Sequence, residues 1–149
     1  MVELVLVIVL IGVIAAIGVP RLMGDNTMAA AAFGDEVVSA LRTAQKSASA
    51  RRRLVCATVG GSAVTLTMRP DNAQLNCTVP LNAENYYTSA TGVTVTATTP
   101  TLYFQPNGMI TSDVAGRTPV SGMALIRLGG STSRTIEFTG TTGYVQVVQ

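Results

Sequence analysis

The apolar residues of this chain follow three successive patterns, and each pattern predicts a different kind of element. Residues 4–20 form an apolar run without a charged side chain. Between residues 28 and 48 the apolar positions recur at spacings of three and four, which is typical of a helix with one buried face. The positions that carry this repeat are Phe33, Val37, Leu41, Ala44 and Ala48. After residue 53 the repeat falls to two, which is typical of β-strands.

These patterns predict one long helix from about residue 2 to about residue 52. Pro20 lacks a backbone N–H and is expected to kink or loosen it. Acidic residues come early in its second half, and the basic residues Arg51, Arg52 and Arg53 come late, which suits the helix dipole. We therefore divide the chain into residues 1–22, a membrane or filament-core segment; 23–53, the amphipathic half of the helix; and 54–149, a globular β domain.

The β domain is predicted to be an antiparallel arrangement of seven to nine short strands. Strands are predicted at 54–59, 63–68, 74–79, 93–96, 102–104, 123–128, 135–139 and 144–148, with loops at 80–92 and 112–121 and a tight turn at 106–108. The first two strands form a hairpin around two glycines. The predicted fold class is α+β, in which the kinked helix packs on an antiparallel sheet or a small β-sandwich.

The apolar N-terminal run has three interpretations, and Glu3 distinguishes between them. A secretory signal peptide begins with basic residues, whereas this chain has an acid before the run. A plain membrane anchor, carrying a periplasmic domain with some other ligand, explains the apolar run. It leaves Glu3 unexplained, because an unpaired carboxylate at the rim of a bilayer is costly. A subunit that assembles with others through this helix gives the carboxylate a partner.

The segment 2–21 resembles the mature N-terminus of type IV pilins and type II secretion pseudopilins. That family has Glu as the fifth residue of the mature chain and Pro seventeen residues later, and Glu3 and Pro20 have the same spacing. The resemblance implies that two mature residues precede Met1, together with a leader that prepilin peptidase removes before the N-terminus is methylated. It also implies that Glu3 faces the α-amino group of a neighbouring subunit.

Later segments resemble the H-type minor pseudopilins, the GspH/FimT-like group. The resemblance lies in residues 33–53, 104–108 and 136–145. It implies a minor subunit that inserts once in the bacterial inner membrane, with its globular domain in the periplasm. Other pilins or pseudopilins are its partners in the filament, at or near the tip. Residues 52–56 and 142–145 also resemble minor pilins of the mannose-sensitive haemagglutinin type pilus, so three kinds of machine stay open.

The composition indicates a structural protein and no enzyme. The chain has no histidine, which removes the commonest general base and metal ligand, and we predict no catalytic residue, metal site or cofactor. The two cysteines, Cys56 and Cys77, follow an N-terminal apolar segment. This indicates an oxidising compartment and one disulfide. Two separate buried thiols are the alternative.

One local basic cluster exists, at Arg51, Arg52 and Arg53 with Arg42 and Lys46 nearby. The simpler interpretation is a solvated helix end. The alternative is contact with DNA phosphates in a DNA-binding or adhesive tip subunit. Related minor pilins that serve DNA uptake carry basic residues near the C-terminal hairpin. Residues 142–146 of this chain contain none.

Overall fold

Two helices precede the β domain. The computed structural model describes residues 2–23, 26–81 and 86–148, with the side chains of residues 2–16 in the first range. Helix α1 spans Val2–Met23 and helix α2 spans Asn26–Arg51. Both halves of the predicted helix are therefore helical. Residues 24 and 25 lie outside the described residues, so a continuous, kinked helix stays a prediction.

Helix α2 packs on the β domain through the face that its sequence repeat predicted. Phe33 and Leu41 are almost fully buried, and alanines at the same face let the strands approach closely. Burial of a side chain as large as phenylalanine or leucine contributes about 1.5–3 kcal/mol. The buried residues of α2 are Ala30, Phe33, Gly34, Val37, Val38, Ala40, Leu41, Ala44 and Ala48.

Ten strands in two antiparallel sheets follow in the described residues. They are β1 Val55–Gly60, β2 Ala63–Met68, β3 Val79–Pro80, β4 Tyr86–Tyr87, β5 Val93–Ala97, β6 Thr101–Phe104, β7 Ile110–Thr111, β8 Gly122–Leu128, β9 Ser131–Thr139 and β10 Tyr144–Val147. The first sheet has the order β3-β2-β1-β6-β7, and β4 also pairs with β2. The second sheet has the order β10-β9-β8-β5.

Backbone hydrogen bonds join the two sheets, and α2 packs against strands of both. The Val95 N–H donates to the Gly61 carbonyl at 2.7 Å, which joins β5 to the β1–β2 hairpin. The Ile110 N–H donates to the Gly140 carbonyl at 2.8 Å, which joins β7 to the end of β9. Alternate residues of each sheet face α2, so one core forms beneath the helix.

The strand prediction for 74–79 is wrong over 74–78, because β3 contains only residues 79–80. The Asp71 carboxylate accepts hydrogen bonds from the N–H groups of Ala73 and Gln74, at 2.9 and 3.0 Å. Such local bonds compete with strand pairing. Residues 71–76 are all exposed, so their alternating pattern marks no buried face.

Two short strands were missed by the sequence prediction. Strand β4 lies inside the predicted loop 80–92 and pairs with the start of β2. Strand β7 pairs with β6 through two residues only. Two-residue strands have no period to detect, and they raise the number of strands above the predicted seven to nine. The predicted tight turn at 106–108 is confirmed, with the Gly108 N–H bonded to the Gln105 carbonyl at 2.9 Å.

Candidate assembly interface

Apart from Glu3, the surface of α1 is apolar on every side in the part whose side chains are described. All side chains of residues 2–16 are exposed. The large apolar ones range from 50% exposed at Val7 to 81% at Val2. Monomeric soluble proteins rarely expose so large a continuous apolar surface, and such surfaces mark contacts with other proteins or with membranes. Helix α1 is therefore the candidate assembly interface.

Glu3 lies in the first turn of α1, where its side chain is exposed. A carboxylate at this end of a helix is favoured by the helix dipole, by about 0.3–1 kcal/mol. Among the described residues, no hydrogen bond or ion pair reaches Glu3, and the ion pair that is found joins Arg134 to Asp35. The predicted contact between Glu3 and the α-amino group of a neighbour stays a prediction.

Pro20 lies within the helical backbone of α1, which continues to Met23. The side chain of Pro20 lies outside the described residues, and the kink expected there stays a prediction. In the part of the chain whose side chains the structure describes, no helix has a stretch that is long and apolar enough to span a membrane.

The basic run 51–53 forms the C-terminal cap of α2. Arg51 is the last helical residue, and Arg52 has a positive φ of 50°. The Arg53 N–H then reaches back to the Ala48 carbonyl at 3.2 Å, which is the six-to-one bond of a Schellman cap. Such caps usually have glycine where this chain has Arg52. The run therefore turns the chain from α2 into β1.

The three arginines do not share one environment. Arg51 and Arg52 are exposed, whereas Arg53 is half-buried and donates a hydrogen bond to the Pro70 carbonyl. Arg42 is hydrogen-bonded to the second sheet, because its guanidinium donates to the Val145 carbonyl at 3.1 Å. Of the predicted nucleic-acid contacts, only Arg51 and Arg52 present their side chains to solvent.

Comparison with known proteins identifies the fold. No family model matches the chain, and no curated protein matches it in sequence. Two crystal structures of the type IV minor pilin FimU of Pseudomonas aeruginosa, in space groups P21 and P65, do match. The first is 17% identical over 79% of this chain and 87% of that chain, with a TM-score of 0.61. The second is 15% identical over 79% and 91%, with a TM-score of 0.59. The chain has a type IV pilin-like fold.

The pilin-like fold brings the two cysteines together. Cys56 and Cys77 form a disulfide with a Cα–Cα distance of 6.1 Å, within the range that a bridge requires. The prediction of one disulfide is confirmed, and the alternative of two buried thiols is wrong. Cys77, however, lies in the irregular segment before β3 and not within a third strand. The bridge fastens this exposed segment to β1.

A groove between α2 and β10 escaped the sequence prediction. It has a volume of about 580 Å³, and its walls include Arg42 and Lys46 of α2 and Tyr144 of β10. Asp35, which also lines it, pairs with the Arg134 guanidinium at 2.5 Å. These partners are about a hundred residues apart in the chain, so no local motif reveals them. The signal available in the sequence was the placement of Arg42 and Lys46 on one side of α2.

One carboxylate of the pilin-like domain has a shifted pKa. The backbone N–H groups of Arg117 and Thr118 donate to the Asp113 carboxylate, the Thr118 bond measuring 2.7 Å. These bonds hold the pKa of Asp113 below its ordinary value of 3.8. In the described residues, no three acidic or cysteine side chains converge as a metal site. The bonds from Arg117 and Thr118 to Asp113 order the loop after β7.

Proposed function

We propose that this chain is a minor subunit of a type IV pilus or of the related type II secretion pseudopilus, and that it acts as a structural protein. The observation that carries the proposal is an α1 whose described side chains, residues 2–16, are all exposed and, apart from Glu3, all uncharged, attached to a domain with a type IV pilin-like fold. The exposed apolar side chains of residues 2–16 require other molecules to cover them. In a filament, the helices of neighbouring subunits provide that cover.

Glu3 and Pro20 have specific parts in this proposal. Glu3 pairs with the α-amino group of an adjacent subunit, and because an unpaired carboxylate in an apolar surrounding is costly, the pair favours one axial register. Support comes from the position of Glu3 at the outer end of an uncharged run. Pro20 loosens the helix between the part that assembles and the part that carries the domain.

Before assembly, the proposed subunit lies in the bacterial inner membrane as a single-pass protein with its domain in the periplasm. The support lies in the sequence, where residues 4–20 contain no charged side chain. The disulfide between Cys56 and Cys77 supports an oxidising compartment for the domain. Prepilin peptidase is the proposed processing enzyme, followed by methylation of the new N-terminus.

A position at or near the filament tip follows from the same proposal. Its support is the likeness to FimU, which is a type IV minor pilin, and the sequence resemblance to the H-type minor pseudopilins. The likeness to FimU favours a pilus over a secretion pseudopilus. A pilus of the mannose-sensitive haemagglutinin type is one form that this pilus could take.

The experiment that tests the proposal is fractionation of the producing bacterium. Filaments are sheared from the cells and probed for the full chain and for a variant that begins at residue 26, exported by a cleavable signal peptide. We expect the full chain in membranes and in sheared filaments, and the shortened chain as soluble periplasmic protein. Absence of the full chain from filaments would contradict the proposal. Presence of the shortened chain in filaments would contradict it as well, because that chain lacks α1.

Binding of DNA at a pilus tip is the second candidate function, because Arg51 and Arg52 are both exposed at the end of α2. Two cations form a small site, so binding would be weak, and its fall with salt would be shallow because the slope scales with the number of phosphates contacted. The test is titration of a labelled DNA duplex at two salt concentrations, with the double variant Arg51→Gln and Arg52→Gln as the comparison. Equal binding by the variant would remove this candidate.

A further inference from the structure

The outer face of the first sheet, on the side away from α2, carries a group of hydroxyl side chains. Neighbouring residues of a strand point to opposite faces. Ala57 and Val59 are buried in the core, so Thr58 between them faces outward. Cys56 lies on the same side of β1 as Thr58. Their partners on the adjoining strands face outward with them and are Thr65 and Thr67 of β2 and Thr101 and Tyr103 of β6.

The segment that the disulfide fastens forms a wall on this face. Cys56 is only 7% exposed although it faces outward, because Cys77 and its neighbours cover it. The segment before β3 therefore lies over this part of the sheet. It places Leu75, which is 71% exposed, and Asn76 beside the outward hydroxyl groups.

The loop after β7 forms a second wall. Strands β3 and β7 lie at opposite edges of the sheet, so the two walls approach from opposite sides. The side-chain amide of Gln105 donates to the Thr111 hydroxyl at 2.9 Å and to the Val114 carbonyl at 3.5 Å. The bonds to the Asp113 carboxylate hold the rest of this loop. Val114 thereby becomes part of the wall.

Between the two walls lies an open hollow with a volume of about 230 Å³. Its polar side chains in the described part of the chain are three threonines, one tyrosine and one asparagine, and no charged side chain lines it. Tyr103 is half-buried in its floor, and within the described residues its hydroxyl group makes no hydrogen bond. The hollow therefore offers a ligand uncharged hydrogen-bonding groups and one aromatic ring.

These groups limit the class of ligand. A charged ligand would lose water there without gaining an opposite charge. An apolar ligand would separate the hydroxyl groups from water and leave them without partners. An extended peptide cannot add as a further strand, because the floor is the face of a sheet whose backbone groups already pair between strands. The fitting ligand is uncharged and both donates and accepts hydrogen bonds.

We propose that this hollow binds one ring of a neutral carbohydrate. Sugar hydroxyl groups donate and accept hydrogen bonds, as do the threonine hydroxyls and the side-chain amide of Asn76. Tyr103 presents an apolar ring beside a polar hydroxyl group, which suits the C–H face of a sugar ring. The volume lies below the roughly 300–1,000 Å³ of sites for drug-sized ligands, so the hollow holds a small unit of a glycan.

The walls are held in place before a ligand arrives, which lowers the cost of ordering them on binding. The disulfide holds one wall, and the bonds of Gln105 and Asp113 hold the other. Because the hollow is open and offers few polar groups, we expect a dissociation constant in the millimolar range. The site does not include α1, so the outcome of its test is independent of the filament proposal.

The test uses the full chain, labelled with ¹⁵N and ¹³C, in zwitterionic detergent micelles that contain no sugar. The probes are the methyl glycosides of glucose, galactose, mannose and N-acetylglucosamine, and methyl glucuronide is the charged control. We expect a neutral glycoside to shift the NMR signals of Thr58, Thr101 and Tyr103, with an affinity that does not change with salt. Methyl glucuronide should not shift them.

Variants test the two kinds of contact. Thr58→Val keeps the shape of the side chain but removes its hydroxyl group, and Tyr103→Phe keeps the ring. Each should weaken binding about two- to ten-fold, as expected for the loss of one hydrogen bond. Thr94→Val is the matched control, because Thr94 is exposed on β5 of the second sheet, and it should leave binding unchanged.

Three results would overturn the proposal. The first is that none of the four neutral glycosides shifts these signals. The second is that both Thr58→Val and Tyr103→Phe bind as well as the native chain. The third is that the same signals shift when the protein concentration is raised without sugar, which would assign the hollow to contact with a second copy of the chain.

Discussion

The disulfide between Cys56 and Cys77 is expected to supply a large part of the stability of the β domain. It closes a loop with a sequence separation of 21 residues. Within that loop, residues 71–76 are exposed and bury little apolar surface. Beyond it, β3 pairs with β2 through only two residues. Few other interactions therefore hold the segment in place when the bond is broken.

The magnitude follows from the loop length. By the chain-entropy estimate, a bridge closing a loop of this size stabilises the folded state by about 3 kcal/mol. For a domain of this size, 1 kcal/mol shifts the melting temperature by roughly 4 °C. Loss of the bridge is therefore expected to lower the melting temperature by about 12 °C.

The assay is calorimetry of the oxidised protein, of the reduced protein, and of the double variant Cys56→Ser with Cys77→Ser. The reduced protein controls for the hydroxyl groups that the variant introduces. Hydrogen exchange should also show early loss of protection at Thr78 and Leu81, whose N–H groups bond to the Met68 and Leu66 carbonyls. A melting temperature that changes by less than about 2 °C on reduction would refute the reasoning, since it corresponds to under 1 kcal/mol.

Three further predictions concern the α2 cap, the β10 edge and one carboxylate. Arg52→Gly should stabilise the domain against urea by about 0.5–1 kcal/mol, because glycine adopts a positive φ without strain; Arg51→Gly, inside the helix, should destabilise it. Gln146→Pro should lower the melting temperature, because it removes a backbone bond from β10 to β9. Val147→Pro should lower it far less, because the N–H of Val147 points away from β9. Equal losses would contradict the position of β10 at the edge of the sheet. Because the folded pKa of Asp113 is depressed, its stabilisation of the 113–118 loop should be complete above its ordinary pKa of 3.8 and lost as pH falls through the lower folded pKa. An NMR titration that gives an ordinary pKa for Asp113 would contradict this.

The elements with a long, regular period were predictable from the sequence. The face of α2 that carries Phe33 and Leu41 is buried as its three-four spacing indicated. The hairpin of β1 and β2 follows from two alternating runs around Gly60 and Gly61. In both cases the pattern of apolar residues is itself the cause of the structure, because it fixes which face can be buried.

The elements that depend on distant partners were not predictable. Strand β4 exists because Tyr86 and Tyr87 meet the start of β2, and nothing within their own segment distinguishes them from a loop. Residues 74–78 alternate as a strand would, yet the Asp71 carboxylate bonds the local backbone instead. The groove beside β10 is likewise formed by residues about a hundred positions apart.

Some features of the functional residues were likewise predictable from the sequence, and others were not. The cysteine pair could be proposed from the number of cysteines and from the segment that precedes them, and the disulfide is confirmed. The basic run 51–53 could be found by counting charges, but its cap geometry could not, since a positive φ at Arg52 is not expected of arginine. Glu3 and Pro20 keep the roles that the sequence resemblance implied, as predictions.

The proposed assembly of this chain into a filament through α1 can be tested by the incorporation of Glu3 variants into filaments. Glu3→Ala and the nearly isosteric Glu3→Gln are compared with the native chain in membranes and in sheared filaments, and Glu3→Asp serves as the charge-retaining control. We predict normal amounts of all variants in membranes, loss of the Ala and Gln variants from filaments, and partial incorporation of the Asp variant. Incorporation of Glu3→Gln at the native level would contradict the proposed role of Glu3, because the carboxylate would then have no part in assembly.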